Sequence, residues 1–200
     1  MNASSRPAGS CRFPIWAAIA VLCGLLLPPG MLRAECVAER GVKNAAAVFT
    51  LHLPNTCTEA EREARAVPAQ ELLRALTAGK GLDLSGVVIQ GDLVLDELPA
   101  QKASAVGDLA PEDRRVLEGL NDEEVHVIRG PFVIKQSRVK GRIVNRLKSG
   151  FLLITGPVVL AHTDFAGFVD LSRTVFLGLV DGSNATFHQE SYFVQDRFTQ

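Results

Sequence analysis

The sequence predicts a mainly-β chain wound as a solenoid, with a small helical cap before it and a short helical insertion within it. Three observations predict this. Large apolar residues recur from Ile154 to Phe198 at alternating gaps of 6 and 5, through Leu160, Phe165, Leu171, Phe176, position 182, Phe187 and Phe193. The same spacing returns in two earlier islands, Leu84–Ile89–Leu95 and Ile128–Ile134–Val139. Positions two before a centre are small or β-branched, as at Val169, Thr174, Val180, Ala185 and Ser191. A mean spacing of about 5.5 fits neither a helix, which repeats near 3.6, nor a strand at 2.0. It fits a chain that takes a short extended step, turns a corner and steps again, each step pointing one large side chain inward. One step cannot bury its own apolar residue, so the steps must stack.

Residues 1–34 read as a secretory signal. Arg6 and Arg12 precede an apolar run from Ile15 to Leu27, Pro28-Pro29-Gly30 breaks it, and Ala34 offers a cleavage site. The run is about 13 residues, short of the roughly 20 that span a bilayer; an uncleaved N-terminal anchor is the alternative. The expected localisation is therefore exported, periplasmic or extracellular. Cleavage after Ala34 leaves 18 basic against 22 acidic residues, and two cysteines, Cys36 and Cys57. An even pair in an oxidising compartment predicts a disulfide, which stabilises by roughly 3 kcal/mol on the loop-entropy account. Two free buried thiols are the alternative. Without a nearby His pair these cysteines do not make a zinc site.

Residues 35–81 are predicted to form the helical cap. Pro68 suits a first helical turn, Leu72, Leu73 and Leu76 make one apolar stripe, and Gly79 is a stop just past the end. Thr58 to Ala66 makes a separate short helical turn. Residues 82–200 form the predicted solenoid, interrupted at about 97–126. There Pro111 starts a helix with Val116, Leu117 and Leu120 on its apolar face. Asp108–Glu124 carries a net −5 and Arg129–Lys148 a net +7, so the two segments are expected to pair with one another; binding of the basic run to an anionic partner or membrane surface is the alternative. Between Val139 and Ile154 the register blurs, and "RIVNRLKSGFLL" fits only with a slip.

The predicted interior comprises Leu84, Ile89, Leu95, Ile134, Val139, Ile154, Leu160, Phe165, Leu171, Phe176, Phe187, Phe193 and Phe198. Each buried Phe or Leu is worth roughly 1.5–3 kcal/mol. Gly182 supplies no side chain at its centre. The segments "TDFAG", "VDLSR" and "ATFHQ" place a small or β-branched residue, a polar residue and then Leu or Phe, and "LDLSG" does the same with Leu82 in first place. "SYFVQ" and "DRFTQ" match at the centre alone. This pattern resembles the pentapeptide-repeat family. The resemblance implies a right-handed, roughly square β-helix with four steps per coil. The extra residue at every second corner departs from a strict repeat of five.

The function classes narrow less. A formal net charge of −1 argues against a dedicated nucleic-acid partner. Asp164, Asp170 and Asp181 each precede a centre and so face outward, but Asp170 and Asp181 fall half a turn apart. Carboxyls that flank one glycosidic bond stand within about 5–9.5 Å. His52, His126, His162 and His188 show no ligand spacing, and Ser85 and Ser172 lack a nucleophile context. Asn184-Ala185-Thr186 matches a glycosylation sequon but lies inside the repeat. No catalytic residue, cofactor or metal ligand is predicted. The sequence favours a non-catalytic binding or scaffolding protein of the bacterial-type cell envelope, presenting its outer faces to a protein or envelope-surface partner. The alternatives are an envelope enzyme acting on polysaccharide through surface carboxylates, and an N-terminal module of a longer protein.

Overall fold

The structure is a computed structural model, and it describes residues 36–40 and 47–199. The signal segment predicted at 1–34 lies outside the described residues. The described residues are mainly β, and their strands lie in four sheets. From Gly81 onward, short strands visit the sheets in rotation, interrupted at the fourth by Ala100–Lys102. The round at 158–176 is typical: Val158–Val159 joins the first sheet, Asp164–Phe165 the second, Val169–Asp170 the third and Thr174–Phe176 the fourth. Each strand pairs in parallel with its counterparts in the rounds before and after. Partners differ by 22 residues late in the chain (Phe165 with Phe187), by 26 in the middle (Val139 with Phe165) and by 50 across the insertion (Ile89 with Val139). Two antiparallel pairs stand apart, Glu39–Arg40 with Val48–His52 and Ala100–Lys102 with Glu124–Ile128.

The corners account for the two gap lengths. Gaps of five turn on a single residue in the left-handed region: Gly86, Gln136, His162 and Asn184 between the first and second sheets, Arg173 and Gln195 between the third and fourth. Gaps of six pass through stacked glycines, except from Phe187 to Phe193, where Gln189 stands level with Gly167. A Cβ on Gly156 would lie 2.3 Å from the carbonyl carbon of Gly130, and one on Gly178 would lie 2.5 Å from the Gly156 carbonyl oxygen. At the corner between the second and third sheets, Gly141 and Gly167 approach Gly91 and Gly141 in the same way. Backbone packs on backbone at these four glycines, so a Cβ there would force the rounds apart.

Alternate strand residues from all four sheets meet in one core that contains Leu84, Ile89, Leu95, Ile134, Val139, Ile154, Leu160, Phe165, Leu171 and Phe176, each under 5% exposed. Phe187, Phe193 and Phe198 depart from the expected burial and are 37%, 42% and 57% exposed. Phe187 still stacks on Phe165 and Phe198 on Phe176, each at 4.9 Å between ring centroids. Their strands are the outermost of their sheets, so among the described residues nothing covers their far side. The slip between Val139 and Ile154 also resolves. The third-sheet register sets Ile143 between Leu93 and Val169, which puts Asn145 level with Leu95 and Leu171. Asn145 is a buried polar residue at a centre, with Nδ2 donating to the Ser172 carbonyl at 2.6 Å. The longer gap from Asn145 to Ile154 loops out at the same corner as the insertion.

The predicted cap contains strands as well as helices. Phe49 and Leu51 pair with Leu82 and Leu84, so Val48–His52 extends the first sheet, and Val67–Pro68 extends the second. Helix α1 (Glu59–Ala64) opens with a capping box between Thr58 and Glu61. Helix α2 (Ala69–Thr77) buries Ala69, Leu72, Leu73, Ala75 and Leu76, and the chain leaves it through Gly79 at φ +76°. Pro68 precedes α2 instead of lying within it, because it ends the Val67–Pro68 strand. Cys36 and Cys57 form a disulfide with Cα atoms 4.9 Å apart. Arg62 of α1 holds the same loop, its guanidinium donating to the carbonyls of Pro54, Cys57 and Gly86.

The insertion ends earlier than expected, because Glu124–Ile128 already pairs with Phe151–Ile154 in the fourth sheet. Helix α3 (Pro111–Glu118) and the turn at Ala103–Ala105 cover the outer side of that sheet. Ala103, Val106, Leu117 and Leu120 pack there on Val125, Phe151, Leu153, Val175 and Leu177. The fourth sheet is thus buried on both faces, which is why Phe151–Ile154 reads as an unbroken apolar run. Among the described residues, no helix is long and apolar enough to cross a membrane.

Candidate functional site

The three outward carboxylates lie on three different sheets. Asp164 is on the second, Asp170 on the third and Asp181 on the first. Asp170 Oδ1 accepts from the Ser172 N–H at 3.0 Å, and Asp181 Oδ1 accepts from the Ser183 N–H at 2.9 Å. Both therefore brace their own turns, and the Ser183 bond holds the Asp181 carboxyl below the usual carboxylate range. Asp164 bridges rounds: its Oδ1 lies 2.6 Å from His188 Nε2 and its Oδ2 lies 3.5 Å from Arg138 Nε. The partner of Asp164 is thus His188, brought over by the strand ladder, and not its sequence neighbour His162. His52 lies 3.1 Å from Asp83, and His126 contacts the Leu98 carbonyl. Among the described residues no three His, Cys, Asp or Glu side chains converge as a metal site.

The basic run pairs elsewhere than expected. Arg138 meets Glu59, Lys140 meets Glu63 at 2.8 Å, and Arg142 meets Asp92. The acids come from α1 and the preceding round, not from Asp108–Glu124. The reason is register: Arg138 pairs with Val88, beside α1, while the acidic insert sits over the fourth sheet. Arg142 binds Asp92 through its backbone N–H and its guanidinium, and these bonds hold the Asp92 carboxyl below its ordinary range. From the insert, Glu123 approaches Arg173 at 3.7 Å and Asp122 Oδ1 accepts from the Ser104 N–H at 3.1 Å.

Aromatic surface outside the beat collects on the third sheet. The guanidinium carbons of Arg142 and Arg146 each lie 5.5 Å from the Phe168 ring centroid. Tyr192 is 41% exposed and donates its hydroxyl to Glu190. A cleft of about 470 Å³ opens between them, lined by Phe168, Gln189, Glu190 and Tyr192. A second cleft, of about 410 Å³, lies in the insertion between Val106, Leu109 and Leu117. Sequence reasoning missed the first site because it followed the centres. The usable signal was that Phe168 and Tyr192 are aromatic but fall off the beat.

One further carboxyl is unusual. Asp196 stands two before Phe198, where preceding rounds hold the buried Thr174 and Leu152. Burial pushes its carboxyl up to about 6; a hydrogen bond from the Thr174 N–H at 2.8 Å opposes this, and the Asp170 charge adds to it.

No known protein-family model, curated protein or solved structure matches the chain.

Proposed function

We propose that the chain is an exported, non-catalytic binding or scaffolding protein of the bacterial-type cell envelope, built as a right-handed β-solenoid of the pentapeptide-repeat type. The observation that carries this is the ladder register, in which Ile134 and Leu160 follow Leu84, and Phe165 and Phe187 follow Val139. Such stacking buries the centre and the residue two before it at each step and leaves alternate side chains outward on the first three sheets, an arrangement suited to presenting a surface. The Cys36–Cys57 disulfide supports an oxidising compartment, in keeping with the charged-then-apolar segment at 1–34. The outward carboxylates support binding over catalysis, since Asp170 and Asp181 are committed to their own turns.

Expression of the full chain in a bacterial host, followed by fractionation and mass spectrometry, tests the first part. The expected product is periplasmic, lacks residues 1–34 and carries the disulfide. A cytosolic product with free thiols would overturn export. Incubation of the purified protein with envelope polysaccharide tests the second part. Turnover of the glycan would overturn the non-catalytic reading.

A further inference from the structure

Beside the third sheet, the exposed Tyr192 and the half-buried Phe168, which immediately precedes the strand Val169–Asp170, are aromatic side chains that the interior does not use. We infer that its outer surface binds a neutral saccharide segment across Phe168 and Tyr192. This rests on the reading of the chain as a binding protein and names the chemistry of its partner.

Tyr192 belongs to the outer face and not to the bare end of the sheets. It pairs with Asp170 in the ladder, while its neighbour Phe193 takes the inward position level with Leu171. Whatever covers Phe193 and Phe198, the Tyr192 ring stays on the side. Phe168 lies one round earlier on the same face, its ring held by the two guanidinium groups. The cleft between these rings, about 470 Å³, falls within the usual size range of small-ligand sites.

The polar groups decide the class of ligand. Glu190 offers a carboxylate acceptor, Gln189 an amide that both donates and accepts, and Arg146 a guanidinium donor over the Phe168 ring. A sugar ring presents apolar C–H faces to aromatic rings and a rim of hydroxyls that need both donors and acceptors. A polyanion would meet the Glu190 carboxylate. A peptide could add only at the free edge of Ser191–Tyr192, which points away from Phe168, whereas the cleft spans both rings.

Saturation-transfer NMR on the purified protein tests this, with cellotetraose, chitotetraose and maltotetraose as neutral probes and polygalacturonate as an anionic one. Transfer to at least one neutral probe is expected. Tyr192→Ala and Phe168→Ala should each weaken its binding roughly tenfold or more, as loss of an aromatic anchor does. Phe198→Ala, which alters an inward ring, should leave it unchanged. Tyr192 is exposed, so Tyr192→Ala carries the test even where Phe168→Ala lowers the melting temperature. No transfer to any neutral probe, transfer only to polygalacturonate, or undiminished binding by Tyr192→Ala overturns the inference. A neutral probe that binds and is recovered cleaved supports the site and overturns the non-catalytic reading. A protein that is exported and oxidised but binds no neutral probe loses only the saccharide.

Discussion

Phe165 and Phe187 lie one above the other, with ring centroids 4.9 Å apart and planes 6° apart, yet Phe165 is fully buried and Phe187 is 37% exposed. Identical side chains in one column therefore carry unequal weight. Phe165→Ala should destabilise by about 3–5 kcal/mol, the range for a truncated core aromatic. Phe187→Ala should cost roughly 1 kcal/mol, since part of its surface never leaves water. Urea denaturation of the two variants checks the order. Equal losses would show that the column does not end at Phe187.

The glycine columns predict a sharp contrast. Gly156→Ala drives a methyl group to 2.3 Å from the Gly130 carbonyl carbon, where backbone must shift. A loss of about 1–3 kcal/mol is expected, in line with overpacking. Gly182 has open space around its Cβ position. Gly182→Ala should be neutral or stabilise by up to about 1 kcal/mol through the unfolded chain. Thermal melts of the pair read both signs at once.

The disulfide joins the start of the described chain to the loop before α1. Cys36→Ser/Cys57→Ser should lower stability by roughly 3 kcal/mol relative to the oxidised protein. Reductant should shift the melting temperature of the parent and leave that of the double variant alone. A parent indifferent to reductant would mean that Arg62 and the sheet pairing of Val48–His52 hold this region unaided.

Asp196 makes stability fall as pH rises. Its folded carboxyl titrates at about 6, against about 3.9 in an unfolded chain. Between these values the folded state binds more protons, so stability decreases with pH. The penalty is absent below about pH 4 and complete above about pH 6. Asp196→Asn keeps an acceptor for the Thr174 N–H and removes the charge. Because the side chain is only half-buried, solvent screening limits the gain to about 1 kcal/mol at pH 7.5. That gain should vanish at pH 4. Guanidinium denaturation at the two values measures it, and a gain equal at both would exclude the charge as its cause.

Much of the strand pattern was legible because it is local. From Ile154 onward the centres and their small neighbours follow from spacing alone. Asn145 escaped because it is polar, and nothing short of the pairing of Ile143 with Leu93 and Val169 reveals that it holds a centre. Val48–His52 escaped because α1 and α2 separate it from its partner strand Gly81–Ser85. The ion pairs were misjudged for the same reason: neighbouring charge in sequence pointed to Asp108–Glu124, whereas register delivered Glu59, Glu63 and Asp92.

The sequence by itself determined the beat, the helix at Ala69–Thr77, the cysteine pair available for bridging and the place of the insertion. These depend on residue type at short range. Only the tertiary structure decided which residues share a face, because that depends on strands meeting across 22, 26 or 50 residues. The burial of Leu153 and Val175 beneath the insertion arose there, as did the pairing of Asp164 with His188 and the meeting of Phe168 with Tyr192. Pairing register is a property of the stack, and a single step of the chain cannot encode it.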